Sequence, residues 1–321
     1  MTQGSSPRRI LCFGEMLLRF SPNQNELLMQ SPALTIRPAG AEANVAVSLA
    51  CFGAPTAMAT VLPDNALGRG SRDEVRKHGV DTTPVVFKPG RMGLYFLTPG
   101  AVRRPSEVLY DRAGSAFVEH VNSAFDWDAL LDGVEWLHAS GVTPATGPNG
   151  TAAAVAIIAA AVRKGVKVSY DGNFRGKLWE QWDGDPPTTL GRMLSGATIA
   201  FADDRDFALV LKTKFDSADP AVRRREAAKR AVGVLADEEQ QPVVVDDGDD
   251  IADHGLPPSR QRDAPGQEGA DAHDDERTGE IGDRGDDVDL EDPEAQVLHL
   301  AHRVGELGHA DGRDRGVLGR K

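Results

Sequence analysis

The sequence predicts an α/β protein, a helix-covered and mostly parallel sheet carrying a small β accessory. Three observations lead there. Short apolar runs such as "RILCFG", "VEWLHAS" and "VKVSYDGN" stop at small or polar residues, as buried parallel strands do on leaving a sheet. Ala-rich or amphipathic stretches separate such runs, giving strand, helix, strand crossover units. Between Val85 and Leu109 the pattern changes to short alternating runs broken by Gly and Pro, which reads as antiparallel strands inserted into the larger fold.

In chain order, "RILCF" is a strand ending at Gly14, so Glu15 lies at a strand tip, where sites are often built. From Asn44, the spacing of Val45, Val47, Leu49 and Phe52 among Ala and Ser predicts a helix stopped by Gly53. "PTAMATVLPDNALG" reads as a strand and turn, and "RDEVRKHGVDT" as a polar helix closed by Gly79. Beyond the inserted strands, "VEWLHAS" is a strand, Thr151 to Lys164 a helix after the turn "GPNG", and "VKVSYDGN" a strand. "ATIAFAD" and a helix from Asp206 to Leu211 continue the alternation.

Composition divides the 321 residues at Ala231. Up to there the chain has 27 Lys plus Arg against 24 Asp plus Glu; beyond it the counts are 9 and 25. No Phe, Tyr or Trp follows Phe215. Such a segment is a poor builder of its own core. Within it, "PVVVDD" reads as one strand and "EAQVLHLAHRVGELG" as a weak amphipathic helix. The rest lacks a helical or strand period.

Cys12 and Cys51 lie in apolar stretches without CxxC spacing, so both are expected to be buried, reduced thiols of a cytoplasmic protein. The N-terminus does not read as a signal peptide, and the longest apolar run, Thr151 to Val162, is too short to span a bilayer. Nothing argues for a nucleic-acid or membrane partner.

Three clusters could carry chemistry at the strand ends or in the inserted sheet. In "GAEAN", Gly40 lets backbone approach a ligand, and Glu42 and Asn44 either bind hydroxyls or cap the helix. In "LYDRAGSA", strand alternation puts Tyr110 and Arg112 on one face, near Tyr95 of "GLYF". They suit a polyhydroxylated acid, with Arg forking onto its carboxylate, or else form an exposed hairpin. In "DGNFRGKLW", Asp171, Asn173 and Arg175 emerge at a strand end, either as a site or as a solvated loop. No P-loop, zinc-protease helix or serine-hydrolase elbow occurs.

Together "PAGAEANVAVSLACFG", "VLPDNALGRGSRDEVRKHGVDT", "GLYFLTPG", "LYDRAGSAF", "LHASGVTPA" and "DGNFRGKLW" resemble the ribokinase-like (PfkB) sugar kinases, most of all the 2-keto-3-deoxygluconate kinases. The resemblance implies a three-layer α/β/α fold with a mostly parallel sheet and a small β lid. It also implies transfer of the γ-phosphoryl group of ATP, with Mg²⁺, to the 6-hydroxyl of a keto-deoxy sugar acid, the alternatives being another PfkB sugar kinase, for fructose or ribose, or a non-catalytic sugar-acid-binding or defective product. By position, Gly40, Ala41, Glu42, Ala43 and Asn44 would form the substrate loop, with Tyr95, Tyr110, Asp111 and Arg112 reaching from the lid and Arg175 joining them. Asn173, Phe174 and Arg175 would meet the nucleotide phosphates, and Asp203, with Asp206, would lie near Mg²⁺. Ala39 stands where the family usually has Gly.

The domain so implied covers residues 10–231, with lid segments at about 15–38 and 85–112; a lid of this kind could pair with a second copy. Residues 232–321 are expected to be an acidic tail of no recognisable fold. The family's C-terminal Gly-Ala-Gly-Asp motif, whose Asp is the base, is absent from the sequence, so no catalytic base is assigned. The tail has no Phe, Tyr, Trp, Asn, Met or Cys. That composition matches a GC-rich gene read out of frame, and the DNA around codon 231 would decide it.

Overall fold

The computed structural model describes residues 9–235 and 243–245. In chain order, β1 (Arg9–Phe13), β2 (Leu17–Pro22) and β3 (Leu34–Ala39) precede α1 (Ala41–Cys51), β4 (Thr56–Pro63), α2 (Ala66–Lys77), β5 (Val85–Lys88), β6 (Gly93–Thr98) and β7 (Glu107–Asp111). Then come α3 (Ala116–His120), α4 (Trp127–Leu130), β8 (Val134–Ser140), α5 (Val142–Ala145), α6 (Pro148–Lys164) and β9 (Lys167–Asp171). Last are α7 (Gly176–Trp179), α8 (Pro186–Ser195), β10 (Ile199–Phe201), α9 (Asp204–Val210), α10 (Pro220–Leu235) and β11 (Val243–Val245).

Seven strands form one parallel sheet in the order β11-β10-β9-β8-β1-β4-β5. Alternation along β1 divides the core between its two faces. Leu11 and Phe13 point into a cluster with Ile157 and Ile158 of α6, and Cys12 points into a second cluster with Ala43, Ala46 and Val47 of α1. Helices thus cover both faces, as a parallel sheet requires. Phe13 anchors the first cluster through edge contacts to Phe125 and Trp127 at 6.1 and 5.5 Å.

Local signals place the helix ends. Asn65 accepts from Leu67 and Gly68 N–H to start α2. Pro148 opens α6, and Gly165, left-handed at φ 68°, closes it. On α6 the buried side chains include Ala153, Ala154, Ala160 and Ala161, which let the helix lie close to the sheet.

A second sheet, ordered β3-β2-β6-β7, is the β accessory. It differs from expectation in one strand. Val85–Lys88 pairs in parallel with β4, Thr60 opposite Val85, and extends the main sheet rather than the small one. Pro84 before it and Pro89-Gly90 after it mark its ends, but only the crossover through α2 decides which sheet it joins. Helix α1 begins at Ala41 rather than Asn44, because Gly40 at φ 154° makes the turn and Ala41 to Ala43 are already helical.

Ordered structure continues past Ala231. Helix α10 runs to Leu235, and the predicted strand in "PVVVDD" forms as β11 beside β10. The amphipathic stretch from Glu294 to Gly308 lies outside the described residues. Cys12 is buried as expected, whereas Cys51, at the end of α1 and turned from the core, is exposed.

Candidate active site

Ligand crevices of open parallel sheets form where neighbouring strands send their connections in opposite directions. Here that point is between β1 and β8, since the chain crosses from β1 to β4 on one side and from β8 to β9 on the other. Their carboxyl ends deliver Gly14 and Glu15 beside Ser140 and Val142. A cleft opens there, lined by Glu15, Leu17, the Gly40–Glu42 turn, Tyr110, Arg112, Val142, Asn173 and Arg175.

Its floor holds two buried carboxyls, one on each side of Gly14. Glu42 accepts from Ser140 N–H at 3.2 Å, from Ser140 Oγ at 2.7 Å and from Thr143 Oγ1 at 3.3 Å, all on Oε1. Burial pushes its carboxyl above the usual range, against the opposing pull of those hydrogen bonds and of Arg112. A Cβ on Gly14 would stand 2.1 Å from Glu42 Oε2, so a larger residue there would displace that carboxyl. Gly40 is the stricter position: its backbone is in a glycine-favouring region, and a Cβ would come 2.6 Å from the Glu15 carbonyl oxygen.

The second carboxyl, Glu15, faces the small sheet. Its Oε2 takes Arg112 Nε at 2.8 Å together with Arg112 Nη2, and its Oε1 accepts from Ser115 Oγ at 2.7 Å. Arg112 is 5% exposed and lies 5.9 Å over the Tyr110 ring. Tyr95 sits opposite Tyr110 in the β6–β7 register and packs against it at 6.3 Å, fully buried beneath the cleft wall.

On the far wall, Asn173 follows β9 with a left-handed φ of 39°, and its amide donates to Asp171 Oδ2 at 3.3 Å. Asparagine tolerates this conformation better than most residues, and strain of this kind gathers at functional sites. Arg175 follows at the start of α7.

The structure therefore gathers Gly40, Ala41, Glu42, Tyr110, Arg112, Asn173 and Arg175 in one cleft. Other expected site residues lie elsewhere. Ala43 is buried in the core, and Asn44 is within α1, its N–H donating to Gly40 O at 2.9 Å. The N-cap itself is Gly40, so neither Glu42 nor Asn44 stands at the cap position; Glu42 is the acidic residue of the first turn. Asp111 alternates to the opposite face of β7, where Arg91 grips both carboxylate oxygens at 2.7 Å. That pairing holds its carboxyl below the usual range.

Phe174 packs against the main core. Asp203 caps α9, accepting from Arg205 and Asp206 N–H at 2.7 and 2.9 Å, while Asp206 accepts from Asp203 N–H at 3.1 Å. This reciprocal capping box is a helix-start device and occupies both carboxyls. Arg112 does not wait as an open fork for a carboxylate either, since Glu15 already takes two of its nitrogens. Glu15 is the main omission among the expected site residues, although the end of β1 marked its position. Among the described residues no group of three or more His, Cys, Asp or Glu could hold a metal ion, and no helix is long and apolar enough to cross a membrane.

Comparison with known proteins identifies the fold's family. Residues 7–252 match the profile of the pfkB family carbohydrate kinases, a match that runs past Ala231. A 2-dehydro-3-deoxygalactonokinase of Haloferax volcanii is 30% identical over 248 residues, 77% of this chain and 74% of that one. The crystal structure of a 2-dehydro-3-deoxygluconokinase from Thermotoga maritima superposes with a TM-score of 0.64 at 35% identity, covering 70% of this chain and 69% of that one. Fructokinase-1 of Oryza sativa is 32% identical over 172 residues, 53% of this chain and 52% of that one. With a parallel sheet, a β accessory at its switch point and this match over most of its length, the chain belongs to the PfkB family of carbohydrate kinases.

Proposed function

We propose that the chain binds a 2-keto-3-deoxy sugar acid such as 2-keto-3-deoxygluconate, and that its transfer of a phosphoryl group to the 6-hydroxyl is impaired. The observation that carries the first half is the convergence of Gly40–Glu42, Tyr110, Arg112 and Arg175 on one cleft. The guanidinium of Arg175, beside an Arg112 already bound to Glu15, suits a ligand bearing a carboxylate better than a neutral hexose. The relatives named for keto-deoxy sugar acids also share more of their length with this chain than the rice fructokinase does.

ATP, when bound, supplies the phosphoryl group. Arg175 and the Asn173 amide, on the wall facing the Glu42 turn, suit its phosphates. Mg²⁺ typically takes one or two protein carboxylates and completes its shell with water and phosphate, so it would arrive with the nucleotide. The chain's own contribution is to bind and orient the sugar acid. The apolar wall of Leu17 and Val142 limits water in the cleft, and the Gly40 turn brings backbone close to the ligand.

The sequence supports the second half of the proposal. Phosphoryl transfer depends on positioning and on stabilising charge at the transferring group, and the family's Gly-Ala-Gly-Asp anion hole and base are absent. The four-stranded accessory sheet offers a route to a homodimer: cross-strand neighbours Ile36, Phe20, Phe96 and Leu109 form an apolar row across it. Isothermal titration with 2-keto-3-deoxygluconate and with fructose tests the substrate class. Saturable binding of the acid, with an affinity for fructose at least tenfold weaker, is expected. The reverse order would replace this reading with a fructokinase-like one.

A further inference from the structure

Glu15 stands at the joint between the two sheets, after the last strand residue of β1 and before β2 turns into the accessory. We propose that it is a positioning residue, which holds Arg112 in the orientation that meets the sugar acid and does not itself touch the reacting hydroxyl. This role rests on the sugar-acid reading above and names how that site is prepared.

Several independent features aim the guanidinium. Glu15 takes Nε and Nη2 on one oxygen, Ser115 fixes the other oxygen, and the Tyr110 ring lies 5.9 Å beneath the charge. Ser115 is itself tied down, because its Oγ also accepts from Val118 N–H at 3.2 Å to start α3. Space for the arrangement is kept by Gly93. A Cβ there would come 2.5 Å from Glu15 Oε1 and 3.3 Å from Arg112 Cβ. An arginine in water is free over many rotamers and loses that freedom on binding a ligand. Here the loss is taken during folding.

Stability alone does not account for the pair. Buried ion pairs are often no more stabilising than apolar residues of equal volume, since desolvation offsets their attraction. A charged pair whose two members both line the cleft is better explained by what it does to a ligand.

The test is a double-mutant cycle on the full chain, read by titration calorimetry with 2-keto-3-deoxygluconate. E15Q should weaken binding about tenfold and R112Q at least as much, while the double variant binds no worse than R112Q alone. Contacting residues couple whatever their role, so the readout that a merely structural role would not move is selectivity: E15Q should cost the sugar acid its advantage over fructose, whereas a structural loss would weaken both ligands alike. Should E15Q fail to fold by circular dichroism, Gly93→Ala keeps both charges and crowds Glu15 instead. It should weaken binding several-fold. Losses that multiply in the double variant, or E15Q or G93A binding like the parent, overturn the positioning role while leaving the sugar-acid reading intact. A parent chain that binds no sugar acid overturns the reading and this role with it.

Discussion

Glu15 and Glu42 are the same residue type, 3% and 1% exposed, on either side of Gly14, yet they are held by different chemistry. Glu15 is matched by a guanidinium and one hydroxyl, whereas Glu42 is met by two hydroxyls and a backbone N–H. Around Glu42 the neutral donors do not offset the desolvation, so burial lifts its carboxyl above the usual range. One floor thus presents an ion pair on its accessory side and a carboxyl lifted above the usual range on its main-sheet side.

The sharpest way to break that contrast is to remove the guanidinium. Arg112→Met should lower the unfolding free energy by about 3–5 kcal/mol, because it leaves Glu15 buried without its contacting cation. Replacing both partners with Met should recover most of the loss. Urea midpoints of the two variants check this, and equal losses would mean that the pair is not the coupled unit described.

His138 shows what burial does with fewer partners. Its Nδ1 lies 3.1 Å from Ser169 Oγ, its Nε2 has no partner, and burial brings its pKa down to about 4. The unfolded chain therefore takes up this proton first. Stability should fall by on the order of 3 kcal/mol as pH drops from about 6.5 to about 4, then level off for this group. His138→Gln should flatten that limb in urea unfolding across the same range.

Glu42 titrates in the opposite sense. Its folded carboxyl lies above the ordinary value, so its contribution is complete at acid pH and is lost as pH rises through the folded value. Glu42→Gln keeps a carbonyl acceptor for Ser140 and Thr143. It should gain stability relative to the parent on going from acid to alkaline pH, and a relative loss would show that the carboxyl is ionised and well matched. The smallest effect belongs to the most exposed of these carboxyls. Asp203→Ala should cost about 1 kcal/mol through loss of the α9 cap, with Asp203→Asn close to neutral.

Much of this molecule was legible in its sequence, for identifiable reasons. Apolar runs that stop at Gly14, Gly141 and Gly172 announced parallel strands and hence the edge where a cleft forms. What periodicity cannot report is the partner of a strand. Val85–Lys88 has the same short, half-buried pattern in either sheet, and only tertiary pairing with β4 decides. Side-chain alternation did separate Tyr110 and Arg112 from Asp111, but resemblance placed all three in the site. The roles of Glu15 and Asp203 depend on partners remote in sequence or on cap geometry. Glu15 meets an arginine 97 residues away. No local pattern carries that information.

The central claim is a contrast as well: the proposed substrate side of the cleft is assembled from buried, mutually bonded residues, while the family's transfer motif has no counterpart in the sequence. A coupled assay of ADP release, run on the full chain with saturating 2-keto-3-deoxygluconate, ATP and Mg²⁺, tests it most directly. The account predicts sugar-acid binding with ADP formed no faster than from ATP alone. Sustained ADP release that depends on the sugar acid would contradict it.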